Sequence, residues 1–182
     1  DEVREVLKKI RELIKTNREH VTRLLRTIEE LSRRSEEMIR RILEEIEKLI
    51  KDVRRLTEEG ELTEEKAEKL RRDVEEIVKE AEKRLRDSNE EVKRLVDEHR
   101  EVNKDLERRL EDEKRRLKEE NLPEEMEKLL EEAIKEARED SRRSDREVEE
   151  VLRKHKKVND RVREEIERVL RKLEELLKKD RT

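Results

Sequence analysis

Apolar residues return along this chain in alternating steps of four and three. The first row reads Val3, Leu7, Ile10, Ile14, Asn17, Val21, Leu24, Ile28, Leu31 and Ser35, the period that holds one helical face against a partner helix. After Ser35 the frame slips once, to Ile39, Ile42, Ile46, Leu49, Val53 and Leu56. A second row, Val6, Leu13, His20 and Thr27, widens the stripe, as does Leu25, Ser32, Ile39. The pattern predicts a first helix over about 2–59, with Asp1, Glu2 and Glu5 placing negative charge at its positive end.

Gly60, the only glycine, then suits the left-handed residue that ends a helix. Thr63 reads as the next N-cap, with Glu64 and Glu65 in the first turn and Leu62 and Ala67 placed to staple it. The second helix is expected over about 63–120, its seam carrying Leu70, Val74, Ile77, Ala81, Leu85, Asn89, Val92, Val96, His99, Asn103, Leu106 and Leu110. Asn121-Leu122-Pro123 marks the second turn, Asn as a left-handed cap and Pro in the first helical position. The third helix runs over about 123–180, with Met126, Leu130, Ile134, Ala137, Ser141, Ser144, Val148, Val151, His155, Val158, Val162, Ile166, Val169, Leu173 and Leu176 on its seam.

Each helix is about 57 residues, so roughly 86 Å at ~1.5 Å per residue. Links this short force neighbours to run antiparallel. The expected fold is therefore all-α: a single-chain, coiled-coil-like, up-down-up three-helix bundle over residues 1–182. A narrow stripe with a partial third row suits three helices and leaves no second stripe for further subunits, so a monomer is expected.

The seam is interrupted by polar residues, and they repeat. Ser88, His99 and Asn103 are spaced by eleven and then four, as are Ser144, His155 and Asn159. Polar groups in an apolar seam cost free energy unless they bond one another. With the turns as drawn, facing positions total about 121 between the first two helices and about 243 between the last two. One layer should then hold Asn17, His20, His99, Asn103, Ser141 and Ser144, joined by Thr16 through His20. Another should hold Ser32, Ser35, Ser88, Asn89 and His155, with Asn159 one turn away. Glu113, also near the seam, is expected to turn outward. Neutral His, Asn and Ser together can satisfy one another without any charge, and a slip of register would leave them unpaired.

Composition narrows the function. The chain is 182 residues long and 59% charged, with one Pro and no Phe, Trp, Tyr, Cys or Gln. Lys plus Arg total 52 against 56 Asp plus Glu, a net charge of −4, which leaves no basic footprint for nucleic acid. Lack of aromatics removes base-stacking platforms, and lack of Cys removes disulfides, thiolate zinc sites and thiol redox chemistry. No apolar run approaches the ~20 residues of a membrane span, no signal-peptide pattern opens the chain, and the compartment is not readable. No cofactor, metal or small-molecule substrate is expected. His20 and His99 have no seam carboxylate or Cys to complete a ligand set, and packed helices offer neither pocket nor free amides for an oxyanion, so no enzyme is expected.

Long heptad helices, minimal loops, and buried His-Asn-Ser layers resemble de novo designed helical bundles with hydrogen-bond networks, above all the designed pH-responsive bundles with buried histidine. The resemblance covers the whole chain and is one of style. It implies His20, His99 and His155 as proton sensors with Asn17, Asn103 and Asn159 as their amide partners, and acid-triggered opening, in some members coupled to membrane disruption. Burial independently argues that imidazolium is disfavoured, so acid should destabilise the fold. The alternative is an inert scaffold rod whose polar layers only fix register.

Overall fold

In a computed structural model, residues 2–179 are described, with side chains as far as Lys178. Asp1 and Asp180 lie outside the described residues. The described residues form three helices: α1 (Glu2–Glu58), α2 (Glu64–Glu119) and α3 (Glu124–Lys179).

The first link follows the expected chemistry. Gly60 has φ of +67°, and the Glu61 amide donates to the Leu56 carbonyl at 2.8 Å while the Gly60 amide donates to that of Thr57 at 3.1 Å. This pair of bonds is the Schellman cap, which satisfies carbonyls that a helix end otherwise orphans. Thr63 caps α2, its Oγ1 accepting from the Lys66 amide at 3.3 Å. Ala67 is fully buried, and Leu62 packs half-buried against the same core.

The second link departs from expectation. No residue other than Gly60 has positive φ among the described residues, so Asn121 is not a left-handed cap. The Leu122 amide instead donates to the Glu120 carbonyl at 2.9 Å, a tight three-residue turn. Pro123 precedes the first helical residue and closes the first turn with its carbonyl, which accepts from Met126 at 3.0 Å and Glu127 at 3.1 Å.

Contacts group the chain into two compact units. Unit 1 comprises Asp1–Glu29 with Glu91–Arg153, and unit 2 comprises Glu30–Glu90 with Lys154–Thr182. Unit 1 holds a core of Val3, Val6 and Ile10 from α1, Leu106, Leu110 and Leu117 from α2, and Leu130, Ile134 and Ala137 from α3. Unit 2 holds another, in which Ile42, Ile46 and Val53 of α1 meet Val74, Ala81 and Leu85 of α2 and Val162, Ile166 and Leu173 of α3. Each fully buried Leu or Ile contributes about 1.5–3 kcal/mol by leaving water. α2 and α3 run antiparallel in each unit: in unit 2 Arg71 bonds Glu174 and Asn89 bonds His155, and in unit 1 His99 bonds Asp145 and Glu107 pairs with Arg138.

Two seam positions are corrected. Thr27 is exposed and its hydroxyl donates to the Arg23 carbonyl one turn back, so it stands off the core face. Met126 is 40% exposed, as is Leu129 at 52%. Near its start α3 presents Met126 and Leu129 outward, and Leu130 takes the buried place.

Candidate functional site

In unit 2 the polar layer is a bonded chain across all three helices. His155, 4% exposed, meets the Ser32 hydroxyl through Nδ1 at 2.8 Å and Asn89 Oδ1 through Nε2 at 3.2 Å. Asn159, one turn on, donates from Nδ2 to the same Asn89 oxygen at 2.5 Å and lies 3.3 Å from His155 Nε2. These contacts select a tautomer. An imidazole nitrogen facing a carbonyl-type oxygen must carry the proton, so Nε2–H donates to Asn89 and bare Nδ1 accepts from Ser32. Burial pushes the His155 imidazole below the ordinary histidine value because charged imidazolium is poorly solvated there.

Two serines expected in this layer do other things. Ser35 is buried, but its hydroxyl donates to the Leu31 carbonyl of its own helix at 3.1 Å and links nothing across the bundle. The hydroxyl of Ser88 is buried without a partner.

Unit 1 uses the same local device with different surroundings. His99, 2% exposed, meets Asp145 Oδ1 through Nε2 at 3.0 Å. Asn103, four residues on, donates to the same oxygen and lies 3.3 Å from His99 Nε2. In both units, therefore, a His and the Asn one turn later close on one oxygen of the neighbouring helix. Asn89 and Asp145 are themselves equivalent: Ser88, Asn89, His99 and Asn103 recur 56 positions later as Ser144, Asp145, His155 and Asn159. The repeat read from the seam needs only one more residue to include the acceptor.

That acceptor corrects the expected charge-free layer. Ser141 and Ser144 are buried where the register places them, but the group that meets His99 is the next residue, Asp145, whose side chain is half exposed. A second acid, Asp140, is 4% exposed and held by Arg18 at 3.0 Å and Arg143 at 3.4 Å. Thr16 is exposed and takes no place in the layer. Glu113 is half-buried rather than outward, with Oε2 enclosed and unpartnered.

The third member of this layer is a ring. His20 lies against His99 with 6.0 Å between centroids and 9° between planes. Burial, His99 and Arg23, in that order, lower the His20 value, and Glu98 opposes them. Neighbouring Asn17 is 2% exposed, yet neither atom of its amide has a partner within the protein.

Among solved structures, the chain is similar to a "Computationally designed three helix bundle", with TM-score 0.61 and 15% identity over 98% of this chain and 93% of that one. The fold is a three-helix bundle. At that identity the likeness speaks for the fold alone. No protein-family model matches the sequence, and no curated protein matches it.

Within this bundle the arrangement offers proton chemistry at imidazoles. No group of three or more His, Asp or Glu able to hold a metal ion occurs among the described residues. None of the described helices is long and apolar enough to cross a membrane.

Proposed function

We propose that this chain is a designed helical bundle whose buried histidines make it acid-sensitive, with no catalysed reaction, no cofactor and no nucleic-acid partner. The observation that carries the reading is His155: 4% exposed, bonded at both nitrogens to the uncharged Ser32 and Asn89, and disfavoured as a cation by burial.

The sign follows from linkage. A His with a folded value below its unfolded ~6.5 binds its proton more readily in the opened chain. Stability is fully present above the unfolded value and is lost as pH falls below ~6.5, until the folded value is passed. His20 and His155 are both depressed, so both withdraw stability on acidification.

The partners in this reading are few. The chain works as a monomer at neutral pH. On acid opening, its Lys- and Arg-bearing amphipathic helices meet a membrane surface, weakly, because no Trp or Phe is present to anchor them. Sealed liposomes at pH 5, with the protein demonstrably unfolded, would refute the membrane step alone.

A second reading is an inert scaffold in which the layers only fix register. The three-helix bond chain Ser32–His155–Asn89 favours it, since a slip of any helix breaks it. Denaturant melts followed by circular dichroism at pH 7.4 and pH 5, with a variant carrying Asn at His20, His99 and His155, separate the two. Acid sensitivity shrinks in the variant if the histidines sense protons. An unchanged loss assigns the effect to carboxylates and leaves the scaffold.

A further inference from the structure

The two layers differ in one respect that the repeat conceals. In unit 2, His155 Nδ1 receives the Ser32 hydroxyl at 2.8 Å. In unit 1, Asp145 binds His99 through Nε2, which leaves Nδ1 as a bare lone pair, and that atom is buried with no partner. His20, on the helix that supplies Ser32 to the other layer, brings a ring instead of a hydroxyl. His20 Nε2 is likewise buried and unpartnered, as are Nδ2 and Oδ1 of Asn17 and Oδ1 of Asn103. Asn17 and His20 are three residues apart on α1 and so share a face. The rings of His20 and His99 join that face to α2, and Asn103 is one turn from His99 on α2.

Buried polar atoms without partners are rare, because each forfeits a hydrogen bond that water would have made. Here the unpartnered atoms are complementary: the Asn17 amide offers a donor and an acceptor, and His99 Nδ1 an acceptor. A single water donates twice and accepts once or twice, and internal waters settle where two to four such atoms converge.

We infer that Asn17, His20 and His99 of unit 1 form an internal binding site for ordered water, which supplies to His99 Nδ1 the hydroxyl that Ser32 supplies to His155. The inference is independent of any acid response. It makes the two Nδ1 contacts chemically parallel, one filled by a serine hydroxyl and the other by solvent.

The test is magnetic relaxation dispersion of the water nuclei at neutral pH, with water-to-protein Overhauser contacts in the intact chain. The expected result is at least one water held longer than the tumbling time, with contacts to the Asn17 side-chain amide and the His99 ring. Asn17→Leu removes two of the unpartnered atoms, breaks no bond within the protein, and should abolish that long-lived population, while Ser32→Ala should leave it in place. No long-lived water in the unaltered protein, or one that persists undiminished in Asn17→Leu without contacts to His99, overturns the site. The Overhauser contacts decide the matter even if the variant fails to fold.

Discussion

The imidazoles of His20 and His99 lie parallel, 6.0 Å apart at their centres, and contributed by different helices. A proton on either opposes a proton on the other, and His99 ranks second only to burial among the causes that lower His20. Two charges at such a separation interact with a few kcal/mol at an effective dielectric of about 20. Replacing His99 by Asn should therefore raise the His20 midpoint toward the ordinary histidine value. The measurement is the pH dependence of the His20 ring proton shifts. A midpoint that stays put or falls would show that the rings are not coupled.

The closing of His155 and Asn159 on Asn89 predicts a tautomer. Nitrogen-15 shifts at neutral pH should show His155 protonated at Nε2 and bare at Nδ1, and His99 the same. A proton found on Nδ1 of either ring would mean that the amide orientations around it are reversed. Removing the hydroxyl in Ser32→Ala leaves His155 Nδ1 unpaired and should cost about 1–3 kcal/mol of unfolding free energy in denaturant melts at pH 7.4.

Core and surface should separate cleanly along α2 and α3. Leu110 is fully buried, and Leu110→Ala should cost about 2–5 kcal/mol. Leu129, 52% exposed, should accept Lys within about 0.5 kcal/mol. Equal losses in the two variants would mean that Leu129 is covered in solution.

Gly60 holds φ of +67° with no heavy atom within 4 Å of where a Cβ would sit. The cost of Gly60→Ala is thus confined to the backbone and should be about 1–2 kcal/mol, the penalty for a left-handed L-residue. A neutral substitution would show that the turn relaxes to another conformation.

The helices were legible almost to the residue. Four-three spacing is dense and redundant over fifteen turns or so, and Gly60, Thr63 and Pro123 punctuate it with distinct chemistry. The ends at Glu58, Glu64, Glu119 and Glu124 fall within one residue of those read from the pattern. The second turn was misread because Asn121 is merely tolerant of left-handed φ, whereas Gly60 is selected by it. The layers were legible in place but not in bonding. Register arithmetic locates a facing residue to within about a turn, and neighbouring residues on a helix point about 100° apart. It therefore reached Ser144 and not Asp145, one residue on. In a chain that is 59% charged, a single aspartate carries no compositional signal. The 56-residue repeat carried the only clue, in the match of Asn89 to Asp145.

That match gives the molecule an internal reference. His99 and His155 share the same companion four residues on and the same kind of clasp at Nε2, and differ in whether the clasped oxygen belongs to a carboxylate or an amide. Exchanging Asp145 for Asn, or Asn89 for Asp, rewrites one Nε2 clasp as the other by a change of a few atoms. Whatever is measured at one imidazole is then calibrated, in the same tube and at the same instant, by its twin.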